Sequence, residues 1–371
     1  MENAKIDSKQ LFSLMFLFQL GSAIVTNIAV QAKQDAWISI LLGMVGALIL
    51  FFFVYAQIYK RYPSLPLTGI LEKVLSKYIG LPLSIVYICY FFLVASISIR
   101  HLGDTMTTYI LSETPVSVVI FISLLLVSYC CFLGIEVLGR TAEILVGVMV
   151  MFGLIGNLAI IASGIIKIKN VQPILEFGWF PVIKEAVPLV VYFPFGEVLL
   201  FLMFFPYLNR SELANRTGLI SILLSGLGLS WTFLLIVSVI GGNGTSIVDI
   251  PLLSAVEKIN VGNFIQRMDS IVVGTFAVGF FIKIFLYVYA VLIGLTDILK
   301  LKRYQTLIVP VVLLIFIFSL VFTANKVTFM ALMKKLPYLV GFPLLVVIPV
   351  ILLVLILARD FFNKIQRSKK V

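Results

Sequence analysis

Long apolar runs alternate with short polar connections along almost the whole chain. Ten runs approach the roughly 20 residues that an α-helix needs to cross a bilayer core. They are predicted at 10–31, 36–59, 82–110, 115–134, 142–166, 186–208, 217–240, 269–295, 305–324 and 338–358. This pattern predicts an all-α polytopic membrane protein in which residues 1–371 form a single transmembrane domain.

Two connections are longer than the others. Residues 60–81 contain a proline-broken turn, which is followed by a predicted amphipathic helix. Residues 241–268 open with a glycine cluster. The second connection could serve as an external lid, as a docking surface for a partner or as a plain connector.

Composition supports a membrane protein. The 371 residues are 61% hydrophobic and only 12% charged, and the mean hydropathy is +1.15. Soluble domains are about half apolar and about a quarter charged. The three cysteines lie in apolar runs and His101 is the only histidine, so neither a disulfide framework nor a histidine metal site is indicated. We expect no metal and no cofactor.

The distribution of positive charge predicts the orientation. If the N-terminus is cytoplasmic, 17 of the 28 lysines and arginines fall in cytoplasmic segments and nine fall outside, while Arg100 and Lys283 lie within spans. Positive charge concentrates on the cytoplasmic side of membrane proteins. Both termini are therefore predicted to be cytoplasmic. The net charge of +11 needs no nucleic-acid partner to explain it.

Ten spans divide into two sets of five, which predicts an inverted repeat over about 10–166 and about 186–358. Transporters of this kind bind substrate where a helix in each half is interrupted by glycine or proline. The first span of each half has such an interruption, at residues 21–23 and at residues 194–196. We therefore predict that helices one and six are broken. The candidate ligand contacts at these breaks are Gly21, Ser22, Ala23, Phe193, Pro194 and Gly196.

Two charges are predicted near the membrane midplane. Glu197 would lie at the start of a half-helix, where it could accept a ligand ammonium group or only stabilise the helix end. Lys283 lies in the middle of another span, where a charge is costly unless it faces a cavity or a partner. Glu197 is the available partner of opposite charge. The pair could be purely structural, could replace a coupling sodium ion or could respond to protonation.

The third span contains further polar residues. Arg100 and Asp104 are four residues apart, and they share a helix face near the predicted outer end. They could form a structural ion pair or a gate to the site. Ser98, on the same span, is included among the candidate ligand contacts.

Several motifs, in this order and spacing, resemble the B-subunit permeases of bacterial spore germinant receptors. They are IDSKQLFSLMFLFQLGSAI at 6–24, AWIS at 36–39, RYPSL at 61–65, Arg100 and Asp104 followed by Thr114-Pro115, FGEVLLFLMFFPYL at 195–208 and FIKIFLYVYA at 281–290. The resemblance covers essentially the whole chain.

The resemblance implies a leucine-transporter-like fold of the amino-acid, polyamine and organocation transporter superfamily. It also implies location in the spore inner membrane. The partners it implies are a small-molecule germinant, a larger A subunit with soluble domains and a lipoprotein C subunit.

We therefore expect a subunit that senses a small nutrient, with an amino acid as the expected class, and triggers germination. The alternative is a proton-coupled secondary transporter of amino acids, which uptake of labelled ligand would distinguish. A scaffold for its partners is a third interpretation. We expect no enzymatic activity, because the sequence shows neither a histidine cluster nor a nucleophile–base pair.

Overall fold

The protein is described here by a computed structural model that covers residues 5–261, 265–266, 269–321 and 335–368. Its α-helices, labelled in chain order, are α1 (Ser8–Ala23), α2 (Ala36–Leu50), α3 (Ala56–Arg61), α4 (Leu67–Tyr109), α5 (Val116–Leu133), α6 (Ile135–Ala162), α7 (Trp179–Lys184), α8 (Ala214–Ile240), α9 (Gly242–Thr245), α10 (Pro251–Val256), α11 (Asp269–Ile298), α12 (Ile308–Val321) and α13 (Ile348–Ser368).

Other helical geometries join these elements. Segments of π-helix occupy Phe51–Tyr55, Glu185–Phe195, Pro337–Gly341 and Pro343–Val347. Turns of 3-10 helix occupy Val30–Asp35, Ile168–Asn170, Gly196–Met203, Phe205–Tyr207, Ser211–Leu213 and Tyr304–Leu307. Two short antiparallel strands, β1 (Asn260–Val261) and β2 (Ile265–Gln266), belong to the connection between α10 and α11.

The all-α polytopic class is confirmed. Among the described residues, eight helical stretches are long and apolar enough to cross a bilayer, and the bent pair Trp179–Val187 and Leu189–Met203 adds a ninth, with 41° between its parts. The remaining predicted span, 10–31, contains α1, whose 16 residues fall short of a full crossing. The division into two inverted sets of five stays a prediction. The last three residues of the predicted span 305–324 lie outside the described residues.

The helix of the first span ends earlier than the predicted span 10–31. The helix is continuous through Gly21 and ends at Ala23, instead of breaking at residues 21–23 and resuming. The Thr26 hydroxyl donates a 2.7 Å hydrogen bond to the Ser22 carbonyl oxygen, which replaces the backbone donor that a longer helix would supply. Ala29 then adopts a left-handed conformation, with φ of 56°, so the chain cannot continue as an α-helix there.

The predicted amphipathic segment after the proline turn is also helical. Helix α4 contains both this segment and the third span. The two parts are separated by a kink at Ser76, where φ is 67°. Gly80 lies against the backbone of Glu72, so a side chain at that glycine would collide with the first part of the helix. A short helical segment therefore folds back against the long membrane-spanning part of α4.

The bundle has a central helix and a lipid-facing periphery. Helix α11 is central: 83% of its most apolar stretch is buried, and it packs mainly against α4 and α1. Helix α6 is peripheral, with 17% buried and large apolar side chains such as Ile144 and Leu158 exposed. Exposed apolar surface of this extent fits contact with lipid.

The described part of the long connection after α8 packs onto the bundle. Pro251, Leu253, Ala255 and Val256 of α10 are buried, and α10 contacts α8 and α11. The choice between a lid, a docking surface and a plain connector stays a prediction.

Candidate functional site

A buried ion pair joins α11 to the broken sixth span. The ammonium nitrogen of Lys283 lies 2.7 Å from Glu197 Oε2, and the two side chains are only 5% and 2% exposed. Lys283 is near the middle of α11, and Glu197 is the second residue of the 3-10 turn Gly196–Met203. An oppositely charged partner at hydrogen-bond distance offsets part of the cost of burying each charge.

Three further side chains surround the ammonium group. It lies 3.5 Å from Ser22 Oγ at the end of α1, 4.2 Å from the centroid of the Phe193 ring and 5.8 Å from that of Phe18. Both rings are within the range in which an aromatic face attracts a cation. Three separate chain segments therefore converge on Lys283: the end of α1, the broken span and α11.

The backbone leaves helical geometry at Phe193, with φ of −124° and ψ of 124°, immediately before Pro194. Proline has no amide hydrogen to donate and disfavours helical geometry in the residue before it, so the residue types explain the break. The sequence-predicted position of this interruption and the observed position agree.

Side chains of the protein satisfy backbone oxygens at the break in the sixth span and at the end of α1. The Tyr55 hydroxyl donates to the Gly196 carbonyl oxygen at 3.3 Å and also to that of Leu345. At the end of α1, the Thr26 hydroxyl likewise donates a hydrogen bond to the Ser22 carbonyl oxygen. Irregular backbone at membrane depth is tolerated where the protein completes its hydrogen bonds. These oxygens are therefore already engaged in this conformation.

Two of the predicted ligand contacts have close packing partners. Gly21 and Gly279 face each other where α1 crosses α11, and a Cβ atom on either would overlap the other's backbone. A Cβ atom on Gly196 would lie 2.7 Å from the Val191 carbonyl oxygen. Because this contact is with the backbone, alanine at Gly196 would disturb the local fold.

The remaining predicted residues are placed as follows. Ala23 is the last residue of α1 and is fully buried. Pro194 is buried within the broken span. Ser98 is buried on α4, two residues before Arg100. The structure gives none of these three a polar contact with the Glu197–Lys283 pair.

Arg100 and Asp104 form the predicted ion pair. Arg100 Nε lies 2.9 Å from each Asp104 carboxylate oxygen, and the arginine also reaches toward the Ser319 carbonyl oxygen at 3.5 Å. His101, between them, packs its ring against Phe276 and Phe280 of α11. Phe280 lies about one helical turn from Lys283 on α11, so His101 packs the α4 segment of the Arg100 pair against the helix that carries the buried ion pair.

A set of buried tyrosines near the site is absent from the sequence-based candidates. The Tyr90 and Tyr192 hydroxyl oxygens are 3.2 Å apart, and the Tyr87 hydroxyl donates to the Leu344 carbonyl oxygen at 2.6 Å. The Tyr287 hydroxyl, one helical turn from Lys283, is buried next to Glu197. The sequence does contain a signal for these residues, which is a tyrosine in the middle of an apolar span. Buried tyrosine hydroxyls usually have a polar partner, so such a tyrosine indicates a polar group nearby.

Asn27 connects the irregular stretch after α1 to the long connection that follows α8. Its amide nitrogen donates to the Thr245 carbonyl oxygen at 2.6 Å and to the Val248 carbonyl oxygen at 3.0 Å. Sequence reasoning missed this residue, because an asparagine in a short apolar connection has no distinctive pattern. It links the segment next to Ser22 to the cap formed by α9 and α10.

The chemistry available at this site is ionic recognition. One carboxylate, one ammonium, one serine hydroxyl and aromatic faces are gathered in a mainly apolar part of the bundle. In such surroundings, charge pairing is stronger than in water. A small ligand with complementary charges could replace each member of the ion pair as the partner of the other.

Comparisons with known proteins bear on the family of this chain. Residues 5–327 match a family model described as "Spore germination protein". The chain is 35% identical to spore germination protein KB of Bacillus subtilis (strain 168), over 88% of this chain and 87% of that protein. It is 24% identical to spore germination protein A2 of the same organism, over 85% and 86% of the two chains.

Proposed function

Since this chain belongs to the spore germination protein family, we propose that it is the membrane subunit of a germinant receptor that binds a small nutrient and triggers germination. The Glu197–Lys283 ion pair, buried between α11 and the broken span, is the observation that carries the proposal. An amino acid is the nutrient class that these two charges fit best.

The fit is one of complementary charge. A zwitterionic amino acid carries an ammonium group, which Glu197 would accept, and a carboxylate, which Lys283 would accept. The Ser22 hydroxyl, 3.5 Å from the lysine nitrogen, would give the carboxylate a second donor. Sugars and nucleosides bring no pair of opposite charges, so they would leave the ion pair closed.

Such binding would also produce a signal. In the conformation described here, Glu197 and Lys283 contact each other directly. An amino acid inserted between them would hold the broken span and α11 apart. A ligand shifts an equilibrium only by the difference in its affinity for the two states. The closed pair and the parted pair are two states with different affinities for a zwitterion.

The wider assignment rests on the family resemblance and the charge pattern. We place the protein in the spore inner membrane with both termini cytoplasmic, and we propose that it acts with an A subunit and a lipoprotein C subunit. We further propose that it is not an enzyme. The five-plus-five inverted repeat, with the end of α1 and the break in the sixth span meeting at the ligand, is part of the same proposal.

Proton-coupled transport of an amino acid is the alternative function. It is favoured by the same observation, because a buried ion pair of two titratable groups can exchange a proton as it opens. Flux separates the two functions. Vesicles containing this chain alone would accumulate labelled amino acid under a proton gradient if the protein is a transporter, and would not if it is a sensor.

Ligand binding can be tested directly on the purified protein. We expect thermal stabilisation by at least one amino acid and none by sugars or nucleosides. Glu197→Gln should weaken that binding by about 1.5–3 kcal/mol, or roughly one to two decades in midpoint concentration.

Glu185→Gln is a matched control, because Glu185 is another buried carboxylate of the same broken span but is not in contact with Lys283. An unchanged midpoint for Glu197→Gln in a folded protein would remove Glu197 from the ligand site. Stabilisation by sugars alone would overturn the amino-acid assignment.

A further inference from the structure

A cavity of about 590 Å³ lies far along α11 from the Glu197–Lys283 pair. Its walls are the end of α5, the last turns of α11, the connection to α12 and Tyr207 after the broken span. The polar lining residues that matter here are Thr296, Asp297, Lys300, Lys302 and Arg303. The charge pattern of the chain assigns this end of the bundle to the cytoplasm.

The cavity carries an excess of positive charge. Asp297 accepts a 2.7 Å hydrogen bond from the Thr68 hydroxyl. Lys300 lies 4.0 Å from Glu72, at the limit of an ion pair. Within the described part of the chain, no carboxylate pairs with Lys302 or Arg303. Two cations of this wall are therefore left for an anion from outside the chain.

The same cavity has an apolar side. Phe132, at the end of α5, is 65% exposed, and Leu301 is 40% exposed between the basic residues. Ile293 of α11 adds a third apolar surface. A soluble anion would need only the basic wall. A molecule with a phosphate at one end and hydrocarbon at the other would contact both walls.

From this combination we propose that the cavity binds the phosphate-bearing headgroup of an anionic phospholipid. Lys302 and Arg303 bind the phosphate, and the acyl chains lie along Phe132 and the lipid-facing side of α5. Basic pockets between membrane helices on the cytoplasmic side are suited to anionic headgroups. Arginine adds a planar pair of donors that matches phosphate oxygens.

The cavity lies at the ends of the two elements that carry the candidate ligand site, so a lipid bound there would affect that site indirectly. Helix α11 carries Lys283, and Tyr207 follows the 3-10 turn that carries Glu197. A lipid bound between the ends of these two elements opposes their separation. Bilayer composition would then change the ease with which the ion pair opens.

The test compares lipids on the purified protein in detergent. We expect phosphatidylglycerol to raise the melting temperature more than phosphatidylcholine, and native mass spectrometry to show retained phosphatidylglycerol. The double variant Lys302→Gln, Arg303→Gln should lose most of this difference. The matched control is Lys60→Gln, Lys77→Gln, which removes two exposed positive charges outside the cavity lining and should keep the difference.

Two further probes identify the source of the anion. Inorganic phosphate that reproduces the full stabilisation would assign the site to a soluble phosphate compound and overturn the lipid. Stabilisation by a poly-glutamate peptide, but not by phosphatidylglycerol, would assign it to an acidic protein partner. Equal responses to both lipids, or an unchanged lipid response in the Lys302 and Arg303 variant, would overturn the site itself.

Discussion

Gly21 of α1 and Gly279 of α11 are in direct backbone contact, and neither leaves space for a Cβ atom on the other. Ser22 follows the first glycine, and Lys283 lies one helical turn beyond the second. The approach of Ser22 Oγ to the lysine nitrogen, at 3.5 Å, therefore depends on the close crossing that the two glycines permit. Packing between two glycines positions the polar groups of the candidate site.

The first prediction concerns this crossing. Gly279→Ala forces α1 and α11 apart, and overpacking of this kind costs roughly 1–3 kcal/mol. We expect a lower melting temperature for the purified variant. Gly147→Ala is the control, because nothing lies within 4 Å of a Cβ atom at that position on α6. It should be neutral or slightly stabilising, since alanine favours a helix over glycine by about 1 kcal/mol. Equal melting temperatures for both variants would contradict the contact.

The second prediction is a strong energetic coupling between Glu197 and Lys283. Removing one partner of a buried pair leaves the other charge unpaired and costs about 3–5 kcal/mol. Glu197→Gln and Lys283→Met should each destabilise the protein severely, and the double variant should cost far less than their sum. Urea unfolding in detergent gives the coupling energy.

The exposed pair of Arg140 and Glu136 provides the comparison for that measurement. Its side chains are 69% and 43% exposed, and the residues are four apart on one helix. Coupling of such a pair is about 0.3–0.5 kcal/mol. A coupling of similar size for Glu197 and Lys283 would show that the two charges do not depend on each other.

The third prediction concerns the effect of a methyl group at Gly196. The added Cβ atom would lie 2.7 Å from the Val191 carbonyl oxygen, so the backbone of the broken span must shift. Gly196→Ala should therefore lower both the melting temperature and the response to germinant. Gly156→Ala, with open space around its Cβ atom, should change neither. A fully stable Gly196→Ala protein with an altered ligand range would instead favour a direct ligand contact.

The fourth prediction concerns Asn27 and the cap formed by α9 and α10. Asn27→Ala removes hydrogen bonds of 2.6 Å and 3.0 Å to the connection after α8. Each such bond contributes about 0.5–1.5 kcal/mol, so the cap should open more often while the membrane helices stay folded. Faster hydrogen exchange at Thr245–Val248 is the expected readout. Asn243→Ala, an exposed position of the same cap, should leave exchange there unchanged.

Much of the architecture follows from the sequence because the constraint is local. Each apolar run must satisfy its own backbone hydrogen bonds in lipid, so its length and composition predict a helix without knowledge of its neighbours. The same reasoning placed the interruption of the sixth span near Pro194. It also singled out Glu197 and Lys283, because a charge at membrane depth needs a partner wherever the helices lie.

The end of α1 was less predictable. The glycine at position 21 suggested a break, yet that residue stays helical because its lack of a side chain serves the contact with Gly279. Glycine weakens a helix and also permits close helix packing, and sequence alone does not separate these roles.

Sequence by itself determined the membrane class, the approximate spans and the depth of the two buried charges, since hydrophobicity and helical rise act along the chain. The sequence named Glu197 as the available partner of Lys283, and the tertiary structure decided that these residues, 86 apart, do meet. Only the tertiary structure showed that Tyr55 donates to the broken backbone at Gly196, 141 residues away. These contacts depend on how the helices rotate and cross. Packing against neighbours sets that geometry, and no local pattern records it.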